Sequence, residues 1–123
     1  MRTFAGLTAS ALSAIVLAGS MVMLPAVAGA ADAERIKQGK ELAFDRKKGN
    51  CLACHMIDDG VSPGDLGPPL VAMKARFPER AVMRAQIDNP MTNNPNTAMP
   101  PFGKFKIISD DEINKIMDYL YTL

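Results

Sequence analysis

Cys51-Leu52-Ala53-Cys54-His55 is a C-x-x-C-H pentapeptide, and it contains both cysteines and the only histidine of the chain. This spacing is the attachment signature of a c-type haem. Two thiols separated by two residues can add across the two vinyl groups of one haem. The next residue then stands under the iron, where an imidazole nitrogen can bind it. Cys51 and Cys54 are therefore the candidate attachment residues, and His55 is the candidate proximal ligand of one covalent haem c. Two other uses of the motif are weaker. A thioredoxin-like dithiol needs a strand–helix setting, which the residues around Cys51 do not suggest. A zinc site needs four ligands, and this locus offers three. A chain with a covalent haem must build its core on that cofactor.

The N-terminus carries a second constraint. Arg2 is the only charged residue before Asp32, and Leu7 to Leu24 is dominated by Ala, Leu, Val, Met and Ser. Ala26-Val27-Ala28 and Ala28-Gly29-Ala30 are small-x-small cleavage sites. Charged start, apolar middle and small-residue end form the layout of a secretory signal peptide. A membrane anchor is the competing reading, since ~17–25 apolar residues suffice to span a bilayer. The Ala, Gly and Ser content and the peptidase site favour cleavage, placed after Ala30. No cysteine follows that cut, so no lipid is expected on a new N-terminal residue. Bacterial haem attachment follows export, which places the protein in the periplasm.

Cleavage would divide the chain into residues 1–30, a signal peptide, and residues 31–123, one small domain. Domains of that size bury a limited core. A buried haem supplies a large apolar surface, which suits a chain with no Trp, two Tyr and five Phe. The whole chain has 14 basic and 13 acidic side chains. That balance gives no hint of nucleic-acid binding.

The remaining pattern is helical, with no strand alternation. A first helix is expected from Asp32 to Phe44, with Ile36, Gly39 and Ala43 on one face. Gly39 is costly there, by ~1 kcal/mol relative to Ala, unless another backbone comes close. A second helix is expected to start near Cys51 and carry His55. Pro78 suits the first position of a third, running to about Asn89. Asn89 to Lys106 holds four prolines and four asparagines and reads as irregular. Ser109-Asp110-Asp111-Glu112 is a capping box. It opens a terminal helix with Ile113, Ile116, Met117 and Leu120 on one face.

An iron held by one histidine needs a sixth ligand, water or an open position. A methionine thioether is the natural candidate, and it raises the reduction potential relative to a second histidine. Met56 adjoins His55 and cannot reach the far haem face. Met73, Met83 and Met117 fall in helical stretches and read as core filler. Met99 and Met91 remain. Met99 is favoured because Pro100-Pro101 stiffens the chain that follows it, with Met91 as the alternative. The iron ligands are then His55 and Met99. A ligating histidine usually donates its other N–H to a fixed acceptor, and the Pro68 carbonyl is the candidate. No catalytic residue is nominated: Asp58-Asp59 and Asp110-Asp111-Glu112 suit a loop and a helix N-terminus.

Gly39, C-x-x-C-H, Gly67-Pro68, Met99-Pro100 and a short terminal helix, in that order, resemble the class I cytochromes c. The resemblance implies an all-α, single-domain fold wrapped around the haem. It also implies that the first and last helices cross at Gly39, beside Tyr119 and Leu120. Narrower motifs are Met73-Lys74-Ala75-Arg76-Phe77-Pro78, Arg84-Ala85-Gln86-Ile87, and Asn94-Pro95-Asn96-Thr97 with Met99-Pro100-Pro101-Phe102-Gly103. With these the chain is similar to the SoxX-type subunits of the SoxAX cytochromes of sulfur oxidation. That resemblance implies a heterodimer with a SoxA-like haem protein and electron delivery to a soluble acceptor cytochrome. It also implies a non-catalytic role in an L-cysteine S-thiosulfotransferase complex that joins thiosulfate to a carrier cysteine. A free-standing periplasmic electron carrier is the alternative. Balanced charge suggests apolar docking with little salt dependence, through Leu52, Ala53, Pro100, Pro101 and Phe102.

Overall fold

The structure, a computed structural model, describes residues 26–123. Most of the expected signal peptide lies outside these residues. Helix α1 spans Ala26–Phe44, beginning before the expected start at Asp32 and continuing through the expected cut after Ala30. A single 3₁₀ turn follows at Cys51–Ala53. Helix α2 is Met73–Arg76, α3 is Arg80–Asp88, and a second 3₁₀ turn covers Pro90–Thr92. Helix α4 is Asp110–Leu120. Among the described residues there is no β-strand, so the all-α class holds.

Helix α4 forms where the capping chemistry placed it. Ser109 Oγ accepts from the Glu112 N–H at 3.2 Å, and Glu112 Oε2 accepts from the Ser109 N–H at 2.7 Å. Those bonds satisfy two of the donors that a helix start leaves unpaired. Ile113, Ile116, Met117 and Leu120 are buried along one face. Helix α1 packs on this helix with its backbone in contact. A Cβ at Gly39 would stand 1.9 Å from the Lys115 carbonyl oxygen and 3.0 Å from Tyr119 Cβ. The helix-weakening glycine is thus the residue that lets the two helices meet. Arg35 and Arg80 both pair with Asp118, at 3.1 and 2.8 Å, joining α1 and α3 to the last turn of α4.

Two expected elements differ. The helix that was to carry His55 stops after its 3₁₀ turn. Its next turn would need the Leu52 carbonyl, but that group accepts from the Gly64 N–H at 2.9 Å. Likewise the Cys54 and Met56 carbonyls accept from Gly67 and Leu70 at 2.7 and 2.9 Å. The returning loop takes the acceptors that a continuing helix requires. Pro78 also lies outside α3, which is capped by extended Glu79. A helix starting at Pro78 would use the Phe77 carbonyl, and that oxygen accepts from the Tyr121 hydroxyl at 2.9 Å.

The core is formed by Ile57, Met73, Met83, Ile108 and the buried face of α4. Met73, Met83 and Met117 are all buried, as expected for unbranched side chains filling irregular gaps. Several of these residues also form the wall of a large, partly open cavity.

Candidate functional site

The cavity has a volume of about 560 Å³, within the ~300–1,000 Å³ range of small-molecule and cofactor sites. Cys51, Cys54 and His55 line it, with Gly67 and Pro68 beside them. Met99 and Pro100 line it as well, from the irregular segment before α4. Its apolar lining includes Leu70, Met73, Met83, Ile108, Ile116 and Leu120. All four sequence candidates for the cofactor therefore share one apolar chamber.

Local backbone geometry delivers these side chains. Asn50 adopts a left-handed conformation, φ 47°, and turns the chain into Cys51. His55 N–H then donates to the Cys51 carbonyl at 2.9 Å, which fixes the histidine relative to the first cysteine. His55 Nδ1 lies 2.7 Å from the Pro68 carbonyl oxygen. A carbonyl can only accept, so Nδ1 carries the proton and Nε2 is left with a lone pair for a metal. Gly67 lies against the ring: a Cβ there would be 2.2 Å from His55 Cε1.

Further contacts tie down the chain just after Pro68. Arg76 Nη1 donates to the Pro69 carbonyl at 2.7 Å and reaches the Val71 carbonyl at 3.4 Å. On the methionine side, Thr97 Oγ1 accepts from the Met99 N–H at 3.1 Å. Met91 lies in the Pro90–Thr92 turn, 40% exposed, and is not part of the cavity wall. Of the two loop methionines, only Met99 lines the cavity.

The cysteines fit covalent attachment better than the alternatives. Burial pushes the Cys51 thiol up to about 11, opposite to the lowered pKa of a thioredoxin-type nucleophile. Among the described residues, no three His, Cys, Asp or Glu side chains converge as a metal site requires. The zinc reading therefore finds no further ligand.

Several site residues were not singled out from the sequence. Gly67 enters the sequence reading only as part of the Gly67-Pro68 motif, with no role of its own. Arg76, Gln86 and Thr97 stand within the motifs of the resemblance but receive no role there, because contact across the fold defines their roles. The charged residues lining the cavity are Arg46, Lys47, Lys48 and Arg76, with no acid among them. Lys48 is paired with Glu112 at 2.7 Å, whereas Arg46 and Lys47 form no ion pair among the described residues. Nearly equal charge totals, 14 basic and 13 acidic, concealed this basic margin.

Phe102 corrects an expectation. It is 7% exposed and belongs to the core and the cavity wall, so it is unavailable for docking. Leu52 and Pro101 are half-buried, whereas Ala53 and Pro100 are exposed. The large apolar side chains that line the cavity and reach solvent are Leu66 and Ile107, at 69% and 43% exposure.

The profile of the family described as "Cytochrome C oxidase, cbb3-type, subunit III" matches residues 34–120. The chain belongs to this family of c-type cytochromes. The match runs from α1 to the end of α4 and takes in Cys51, Cys54, His55 and Met99. An uncharacterized lipoprotein of Aquifex aeolicus (strain VF5) is 33% identical over 76 residues. That alignment covers 61% of this chain and 37% of the relative, so the chain spans little more than a third of that protein's length.

Membership implies a covalently bound haem, and the residues present fit it. The two thiols at the required spacing, the oriented imidazole and the apolar walls share one chamber of suitable size. When bound, the haem supplies one-electron chemistry between ferric and ferrous iron. The chain's own residues supply apolar walls and hold the imidazole in its metal-binding tautomer. No helix among the described residues is long and apolar enough to cross a membrane.

Proposed function

We propose that this c-type cytochrome is a periplasmic, mono-haem electron-transfer subunit of the SoxX type. In this reading Cys51 and Cys54 carry the haem, and His55 and Met99 are the axial ligands. The observation that carries the reading is the placement of both candidate ligands and both cysteines on one cavity wall that includes no carboxylate. Two axial ligands from the chain leave no open coordination position for a substrate, which suits electron transfer rather than catalysis.

The segments behind the SoxX resemblance support it further. Met73-Lys74-Ala75-Arg76-Phe77-Pro78 contains the arginine that braces the Pro69 carbonyl and the carbonyl that receives Tyr121. The resemblance therefore covers the chain that follows Pro68 as well as the candidate ligand set. The partner would be a SoxA-like haem protein. Joining thiosulfate to a carrier thiol forms one S–S bond and releases one proton and two electrons. One haem takes one electron at a time, so two successive transfers to a soluble acceptor cytochrome complete each conjugation. Docking would use Leu66, Ile107, Ala53 and Pro100 at the cavity margin, with Arg46 and Lys47 meeting acidic groups on the partner.

The test is reconstitution of the holoprotein with a SoxA-like chain and its carrier protein. Thiosulfate should reduce the haem only when all three are present. A haem that stays oxidised in the complete mixture overturns the reading. A free-standing carrier, or a donor to an oxidase as the family description suggests, is the second reading. It predicts no stable complex with the SoxA-like chain and fast exchange with several redox proteins.

A further inference from the structure

Gln86 sits on α3 between the buried Met83 and Ile87 and lines the haem cavity. Its Nε2 donates to the Met99 sulfur at 3.9 Å. Its Oε1 accepts from Asn93 Nδ2 at 2.9 Å. Together these contacts orient the amide. Turning it over would set its oxygen against the sulfur lone pairs and its NH₂ against that of Asn93. The Asn93 contact therefore determines which end of Gln86 faces the methionine.

A thioether sulfur has two lone pairs and no proton, and a metal uses one of them. We propose that Gln86, aimed by Asn93, is a positioning residue for Met99: it occupies one sulfur lone pair, leaves the other for iron, and raises the reduction potential. The proposal rests on the reading of Met99 as the axial ligand. The sign follows from electrostatics. The positive end of the N–H dipole withdraws electron density from the sulfur and adds positive potential near the iron. Both effects disfavour the ferric state, and hydrogen bonds around an axial ligand are a known lever on potential.

The experiment measures the reduction potential and the near-infrared sulfur-to-ferric-iron band of the holoprotein and three variants. Gln86→Leu should retain the band and lower the ferrous-to-ferric ratio at the wild-type midpoint by about threefold, a shift of ~30 mV at 59 mV per decade. Asn93→Leu should shift the potential in the same direction by less, and should add nothing in the Gln86→Leu background. Asn93 is exposed, so this variant keeps the test alive if Gln86→Leu matures poorly. Met99→Leu should lose the band. If both amide variants keep the wild-type potential while Met99→Leu loses the band, the proposal fails and the ligand reading stands. If Met99→Leu keeps the band, the ligand reading fails and takes this proposal with it.

Discussion

At the scale of single residues, the site depends on groups whose side chains have fixed partners. Met99 lines the cavity and Met91 does not. Met99→Leu keeps the volume and removes the thioether. It should abolish the near-infrared band and lower the reduction potential, whereas Met91→Leu should leave both unchanged; absorption spectroscopy with redox titration decides. Gly39 is equally constrained. Gly39→Ala would put a Cβ 1.9 Å from the Lys115 carbonyl oxygen, and backbone cannot yield as a flexible side chain can. Overpacking of that kind costs at least ~2 kcal/mol, although alanine is intrinsically the better helix former. A urea midpoint equal to or above wild type would contradict this account of the α1–α4 crossing.

At the scale of elements, acid groups around the start of α4 tie the fold together. Lys48 holds the Glu112 carboxyl below the ordinary range, helped by the Ser109 backbone N–H. Asp110 is lowered chiefly by Arg84, and Asp111 chiefly by Lys115. Asp59 is lowered by Lys40 in the loop that follows His55. A depressed carboxylate contributes stability that is fully present above its unfolded pKa of ~4. That contribution is lost as pH falls through the lower folded value. Stability should therefore fall below about pH 4, as these groups protonate. Glu112→Gln keeps an oxygen for the Ser109 N–H but loses the Lys48 pair. The pair is half-buried and of modest strength, so the melting temperature at pH 7 should drop by about 2–4 °C. Wild-type and variant curves should converge in acid; a constant gap from pH 7 to pH 2 would assign the loss to the cap instead.

At the scale of the whole molecule, the haem dominates, together with the docking proposed above. With Cys51 and Cys54 both bonded to it, the haem should resist acid–acetone extraction. Either cysteine replaced by Ala should give poorly matured protein, because a domain this small depends on the cofactor's buried surface. Complete extraction from the wild type would rule out covalent attachment. Cleavage after Ala30 predicts an exported chain beginning at Ala31, which intact mass checks directly. The proposed docking should weaken as salt rises, since Arg46 and Lys47 stand at the cavity margin without an ion pair among the described residues, and solvent-exposed charges are screened within ~10 Å at 0.1 M. Arg46→Glu together with Lys47→Glu should slow association with the SoxA-like chain by roughly tenfold or more at low salt. Unchanged association would move the contact away from this margin.

What the sequence determined by itself was the chemistry and the ends of the fold. C-x-x-C-H specifies its cofactor because two thiols and an imidazole at that spacing match one ring system. The capping box specifies α4 because its donors and acceptors lie within four residues of one another. Gly39 announced a close approach because a mid-helix glycine needs a reason. Tertiary structure decided the rest, since the deciding groups are far apart in the chain. Gly64, Gly67 and Leu70 took the carbonyls that a helix through His55 would have used. Tyr121 took the one that a helix from Pro78 would have needed. Packing buried Phe102 and left Leu66 and Ile107 at the margin. It brought Arg46, Lys47, Lys48 and Arg76 to one cavity, although the totals showed only balance. Local hydrogen bonding and covalent spacing can be read along the chain; competition for a shared acceptor, and the placement of charge on a surface, exist only once the chain has folded.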